Sequence, residues 1–192
     1  MFKDKRTAMV GTLVLVLFLL SLILTNPGKL LAVDAFLKID GVKVESADAK
    51  HKDEIDVISW SFGETNSGTA HTGGGAGAGK VKFQDFKFTM RTNIASPQLF
   101  QYCANGKHIN KVTLFVRRSD QTQAEFLQIW LSDVMVSSFL NMGSAGPNIP
   151  YPVDEILLNF SSIKIDYKQV KQDGSLGGSV SGGWNLKANK AE

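Results

Sequence analysis

The 192-residue chain has one cysteine, Cys103, which excludes an internal disulfide and any metal site built from several thiolates. Its three histidines, His51, His71 and His108, stand far apart, and none has the H-x-x-x-H spacing that would put two imidazoles on one helix face. Nothing around Cys103 resembles the signature of an activated thiol, so it reads as a buried structural residue. An excess of one charge is also lacking in most of the chain. Residues 1–32 hold Lys3, Lys5, Arg6 and Lys29 against Asp4, and the whole chain has 21 basic and 18 acidic side chains, so residues 33–192 are balanced. A balanced body without a Lys/Arg cluster lacks the cationic footprint that phosphate contacts require, which argues against nucleic acid as a partner. No convergent carboxylates, Cys/His pair or Ser/His/Asp set stands out, so the chain reads as non-enzymatic, with no catalytic, cofactor or metal residues. Asp53, Glu54 and Asp56 come nearest to an acidic cluster; following "HK" at the opening of a strand, they read as a solvated loop face.

The one long hydrophobic run is Met9–Thr25, "MVGTLVLVLFLLSLILT", preceded by Lys3, Lys5 and Arg6. As a helix rising ~1.5 Å per residue it would measure ~26 Å, near the lower limit for a bilayer span and slightly longer than a usual signal-peptide core. The charge asymmetry would keep the amino terminus in the cytoplasm and send the body across the membrane. Leu30-Leu31-Ala32 is a poor cleavage site because a bulky Leu stands where a small residue is preferred. Residues 1–32 are therefore set apart as a leader, and residues 33–192 are read as a single domain.

In that domain the apolar period is two. "VDAFLKI" is followed by the turn dipeptide Asp40-Gly41 and then "VKV", a hairpin pattern. "IDVISWSF" puts Ile58, Trp60 and Phe62 on one face and Ser59 and Ser61 on the other, so one face should be buried and the other wet. "KVTLFVRR" alternates through Val112, Leu114 and Val116. Three longer runs change phase midway: at Gln84-Asp85, near Ser132-Asp133, and between Phe160 and Ile163. Strands that swap faces in this way cross between sheets or turn a barrel corner. One helix is signalled, with Ser96 at the N-cap, Pro97 at the first position, Gly106 ending it left-handed, and Leu99, Phe100 and Cys103 as its apolar stripe. "DGSLGGSVSGG" reads as a loop before a last strand, "WNLKAN".

"HTGGGAGAGKVKF", residues 71–83, fits seven positions of the phosphate-loop pattern from Gly74 to Lys80, but Val81 replaces the Ser or Thr that would hold magnesium. An alternating strand follows where the motif needs a helix N-terminus to hold phosphate. The tract reads instead as a pliable loop, either one whose missing side chains let another backbone come close or an unstructured surface excursion, which composition alone does not separate.

"AVDAFLKIDGVKVES", "EIDVISWSFG", "HTGGGAGAGKV", "CANGKHINKVTLFVRR", "VSS", "LNFSSIKIDY" and "GWNLKAN", in this order, closely resemble the hemolysin-coregulated protein family, the tube subunit of bacterial type VI secretion systems. The resemblance runs from Ala32 to Glu192. It implies a small all-β barrel of two packed sheets with one short α-helix, assembled into a hexameric ring with a wide channel. It further implies stacked rings inside a contractile sheath, a spike protein at the tip, and effector proteins carried in the channel. Assembly would be cytoplasmic, followed by secretion. Within that frame Ser59 and Ser61 are expected on the channel side. Gly73, Gly74, Gly75, Ala76, Gly77, Ala78 and Gly79 are expected at contacts between subunits or rings. The leader departs from the family, whose members begin near Ala32. Three explanations compete: a start-site artefact with true initiation at Leu31, an inner-membrane anchor through residues 9–25, or a cleaved export signal. A genuine, uncleaved anchor would favour the alternative, a membrane-anchored or secreted β-barrel binding module that forms no tubes.

Overall fold

The computed structural model describes residues 32–66, 81–146, 151–171 and 173–192. Val33–Glu192 forms one compact unit. Its strands are β1 (Val33–Ile39), β2 (Ile55–Ser61), β3 (Glu64–Thr65), β4 (Lys82–Phe83), β5 (Phe86–Arg91), β6 (His108–Arg118), β7 (Glu125–Met142), β8 (Val153–Asn159), β9 (Ser162–Val170), β10 (Leu176–Asn185) and β11 (Lys190–Ala191); the helix α1 spans Ser96–Asn105. Nine strands form one antiparallel sheet in the order β11-β10-β9-β7-β6-β1-β2-β5-β8, and β8 also pairs with β7, closing six of the strands into a barrel. β3 and β4 form a separate two-stranded ribbon.

β7 makes closure possible. Its first half, Leu127–Ser132, pairs with β9, and its second half, Met135–Met142, pairs with β8. The phase change expected near Ser132-Asp133 lies at the boundary, where Asp133 takes a positive φ of 48°, a conformation in which Asp is among the more tolerant residues. The change expected between Phe160 and Ile163 falls where β8 hands over to β9, and the one at Gln84-Asp85 separates the ribbon from β5. On the inner parity Phe86, Phe88, Met90, Leu114, Ile129, Leu131, Ile156 and Leu158 are essentially fully buried.

Four local expectations differ from the structure. Asp40-Gly41 does turn, with Gly41 at φ 79°, but no hairpin follows, because β1 spends its edges on β6 and β2; Val42 and Val44 are buried without joining a strand. Ser96 is inside the helix rather than its N-cap, which is Ala95. The N-cap has no side-chain cap bond; in the turn leading into the helix Ser96 Oγ accepts from the Asn93 amide at 3.0 Å, and Asn93 Oδ1 accepts from the Ala95 amide at 2.9 Å. The buried stripe of α1 is Leu99 and Tyr102 with half-buried Cys103, while Phe100 is exposed and meets Phe139 edge-on. Gly106 ends the helix left-handed, as its sequence predicts. The largest correction concerns β10: "LGGSVSGGWN" is a strand despite its four glycines, paired with β9 in one register from Ser179↔Lys168 to Asn185↔Ser162 after a shift between Leu176 and Ser179, and the expected strand "WNLKAN" ends at Asn185, where a turn begins.

Candidate functional site

The wet face of the barrel is built from cross-strand rows, since residues paired across antiparallel strands point the same way. Ser59, Thr89, Glu155 and Leu140 make one row, and Ser61, Lys87, Leu157 and Ser138 the next. Ser59 Oγ and Thr89 Oγ1 lie 2.6 Å apart, and Lys87 reaches Glu155 at 3.5 Å. Behind them, Trp60, Phe88, Ile156 and Phe139 form the matching inner row. Ser59 and Ser61 are thus both exposed, on the parity opposite Trp60, as the alternation of β2 requires.

Ile58 departs from the expected pattern. The register between β2 and β5 shifts between Val57 and Ser59, so an extra residue bulges out of the ladder. Val57 then packs against the core and Ile58 is 57 % exposed. With Leu140 also exposed, the hydroxyl face carries apolar side chains at its margins. The inserted residue flips the parity, so Ile55 and Val57 face inward on one phase and Trp60 and Phe62 on the other, and reading the strand in a single phase groups Ile58 with Trp60.

A second cluster pins the segment between β1 and β2. Arg117, buried on β6, donates through Nη2 to Asp48 at 2.5 Å and through Nε to Asp34 at 3.2 Å, with its guanidinium over the Phe36 ring. The bond from Arg117 outweighs the opposing effect of burial and holds the Asp48 carboxyl at about 2, below its ordinary value. Burial works against the Arg117 cation, yet the bonds to Asp48 and Asp34 prevail and its pKa is raised. His51 stacks on Phe36 with ring centroids 4.1 Å apart and meets Glu54 at 2.8 Å. Glu54 is therefore buried, not part of a solvated face; Asp53 and Asp56 are exposed, as expected. The signal available in the sequence was the i, i+3 spacing of His51 and Glu54.

A third node joins the two halves of β7 to the carboxyl-terminal turn. Asp133 accepts from Lys187 Nζ, from Ser161 Oγ at 2.8 Å and from His108 Nδ1 at 2.7 Å. Those bonds, led by Lys187, hold its carboxyl well below the usual carboxylate range. Asp154, fully buried, accepts from Ser96 Oγ at 2.5 Å, Thr92 Oγ1 at 3.0 Å and Asn141 Nδ2 at 2.5 Å, which ties α1 to β8. These groups are committed to one another as structural ties. Among the described residues, no group of three His, Cys, Asp or Glu side chains is placed to hold a metal ion. Residues 73–79 and the run 9–25 lie outside the described residues; among those described, no helix is long and apolar enough to cross a membrane.

The comparisons with known proteins agree with one another. Residues 36–167 match the family model described as "Type VI secretion system effector, Hcp". The chain is 43 % identical to Protein hcp1 of Pseudomonas aeruginosa over 161 residues, which is 83 % of this chain and 98 % of the relative. The crystal structure of Hcp1 from Salmonella typhimurium matches with a TM-score of 0.70 at 38 % identity, covering 84 % of this chain and 99 % of that one. A structure described as that of a type six secretion system protein matches at 0.78 and 28 % identity, covering 84 % and 100 %.

Proposed function

Because the chain belongs to the Hcp family of type VI secretion proteins, we propose that it is a subunit of the secretion tube, working as a hexameric ring that stacks with others and is expelled from the cell. The observation that carries this reading is the 43 % identity sustained over 98 % of the curated relative's length, joined to a closed barrel that leaves one sheet face wet. The role is structural, with no chemical step assigned to any residue. The sheath, spike and effector proteins are the partners this reading calls for, and assembly precedes secretion.

In this reading the rows through Ser59 and Ser61 line the channel. Several observations favour it: the face is continuous over four strands, its hydroxyls are exposed, and its only ion pair runs across it from Lys87 to Glu155 among the described residues. Such a wall can hold a cargo protein by many weak polar contacts and still release it. Residues Gly73 to Gly79 are proposed at contacts between subunits or rings. Nothing observed favours the anchored binding module over the tube subunit.

Removing the chain from its native cells should abolish contraction-dependent release of effectors, and re-expression should restore it. Normal effector release in the deletion strain would overturn the reading. For the channel wall, Ser61→Glu should leave ring formation intact while lowering the amount of effector that co-purifies with the ring; unchanged recovery of effector would move the cargo face elsewhere.

A further inference from the structure

Residues 42–54 carry the chain from β1 to β2 without entering the sheet. Among the described residues, no backbone-to-backbone hydrogen bond ties residues 43–50 to a strand. Side chains hold the segment instead: Val42 and Val44 are buried, Ser46 Oγ donates to Asp56 Oδ1 at 3.1 Å, and Arg117 grips Asp48. The attachment of His51 is incomplete.

The His51 ring is 3 % exposed, stacked on Phe36 of β1 and tilted against Phe115 of β6 with centroids 5.4 Å apart. Each ring nitrogen faces a carboxylate. Nδ1 lies 2.8 Å from Glu54 Oε2, but this bond is internal to the segment and fastens it to nothing else. Nε2 is buried without a hydrogen-bond partner among the described residues, and 3.8 Å away stands Oε1 of Glu125, at the start of β7. That distance is too long for a hydrogen bond. The other oxygen of Glu125, Oε2, accepts from Gln128 Nε2 at 3.1 Å, so the carboxylate is held beside the ring. A neutral imidazole has one N–H and can answer one of the two carboxylates; only the imidazolium donates to both.

Burial in itself disfavours an imidazolium, and opposite charges close by favour it. The charged groups around His51 are Asp34 on β1, Arg117 on β6, Glu125 on β7, and Asp48 and Glu54 on its own segment, while Lys50, Lys52 and Asp53 are exposed. The Arg117 cation is already matched by Asp34 and Asp48. Glu54 and Glu125 are left facing the ring without a cation of their own.

We propose that His51 is a proton-operated latch: when the ring is protonated, Nε2–H is donated to Glu125 Oε1, the gap closes, and residues 42–54 are fastened to the start of β7. The segment then stiffens as its surroundings acidify and loosens near neutrality. The neighbouring tie does not change over the same range, because Arg117 holds the Asp48 carboxyl at about 2 and keeps it ionised. The latch is a property of the single chain and does not depend on the ring reading.

The test is hydrogen–deuterium exchange read by mass spectrometry on the full-length chain in mild detergent. It is run at about pH 8 and about pH 5.5, on either side of the range in which an ordinary imidazole changes charge. Rates are divided by the chemical exchange rate at each pH. In the parent, protection of residues 42–54 should rise by about tenfold in acid, the scale of one charge-assisted hydrogen bond. In Glu125→Gln, whose amide oxygen can still accept from Gln128, and in His51→Gln, which keeps a donor but does not titrate, the rise should disappear. Should His51→Gln fail to fold, Glu125→Gln alone decides. Unchanged protection in the parent would overturn the latch, and so would an equal rise in Glu125→Gln. A rise of the same size in β5 and β6 would also overturn it, by showing a change of the whole fold.

Discussion

The closed barrel and the β9–β10 extension share one sheet and one inner parity, yet they are stabilised differently. In the barrel, Phe86, Phe88, Met90, Ile156 and Leu158 have no exposed surface, and each faces a wall of its own chain. In the extension the same parity ends in exposed Tyr167 and Val180, and Gly182 stands between Val180 and Trp184 in the inner row of β10. The barrel encloses the fully buried core of the chain, and the extension carries apolar side chains that stay exposed. The difference arises in β7, whose first half hands its free edge to β9 and whose second half closes on β8.

Substitutions should separate the two regions. The largest loss is expected from Phe88→Ala in the barrel, about 3–5 kcal/mol in a denaturant melt, because it empties a fully buried site that the walls cannot refill. Arg117→Ala should cost about 1–3 kcal/mol in the same melt, since it removes a buried side chain and leaves half-buried Asp48 and Asp34 without their charged hydrogen-bond donor. A comparable loss from Val180→Ala on the extension would erase the contrast.

Acid should act through the same tie. The Asp48 carboxyl is held at about 2 by Arg117, below the roughly 3.9 of a free aspartate. Its contribution is therefore complete above about pH 4 and fades as pH falls through about 2. The melting temperature of the parent should drop toward that of Asp48→Asn over this interval, and a gap between them that is constant with pH would show that the tie does not titrate. A smaller and more local effect is expected at Asp133, where Asn in place of Asp should speed amide exchange in residues 186–192 while leaving β5 and β6 protected. Exchange rising equally in the barrel would mean that the two regions open together. Ser61→Glu, on the wet face, should shift stability by less than about 0.5 kcal/mol.

Most of the barrel was legible because its strands alternate strongly. Val112, Leu114 and Val116 predict β6 unaided, and all three are buried. The phase changes at Gln84-Asp85, Ser132-Asp133 and Phe160-Ile163 mark places where the ladder changes partner, so a local pattern carried information about tertiary structure. The extension was harder to read for the opposite reason. Gly177, Gly178, Gly182 and Gly183 give β10 the composition of a loop, and pairing with β9, a long-range effect, overrides propensity. The face of Ser59 and Ser61 was legible from parity, whereas the outward turn of Ile58 follows from a bulge marked only by the change of phase between Val57 and Trp60. Glu54 was misplaced because its burial depends on His51 and on the Phe36 ring over which that histidine stacks.

The most direct test of the account is electron microscopy of the full-length chain in mild detergent, averaged without imposed symmetry. The account predicts ring-shaped particles with six equal lobes around an open channel. Single-lobed particles, or rings with another number of lobes, would contradict it.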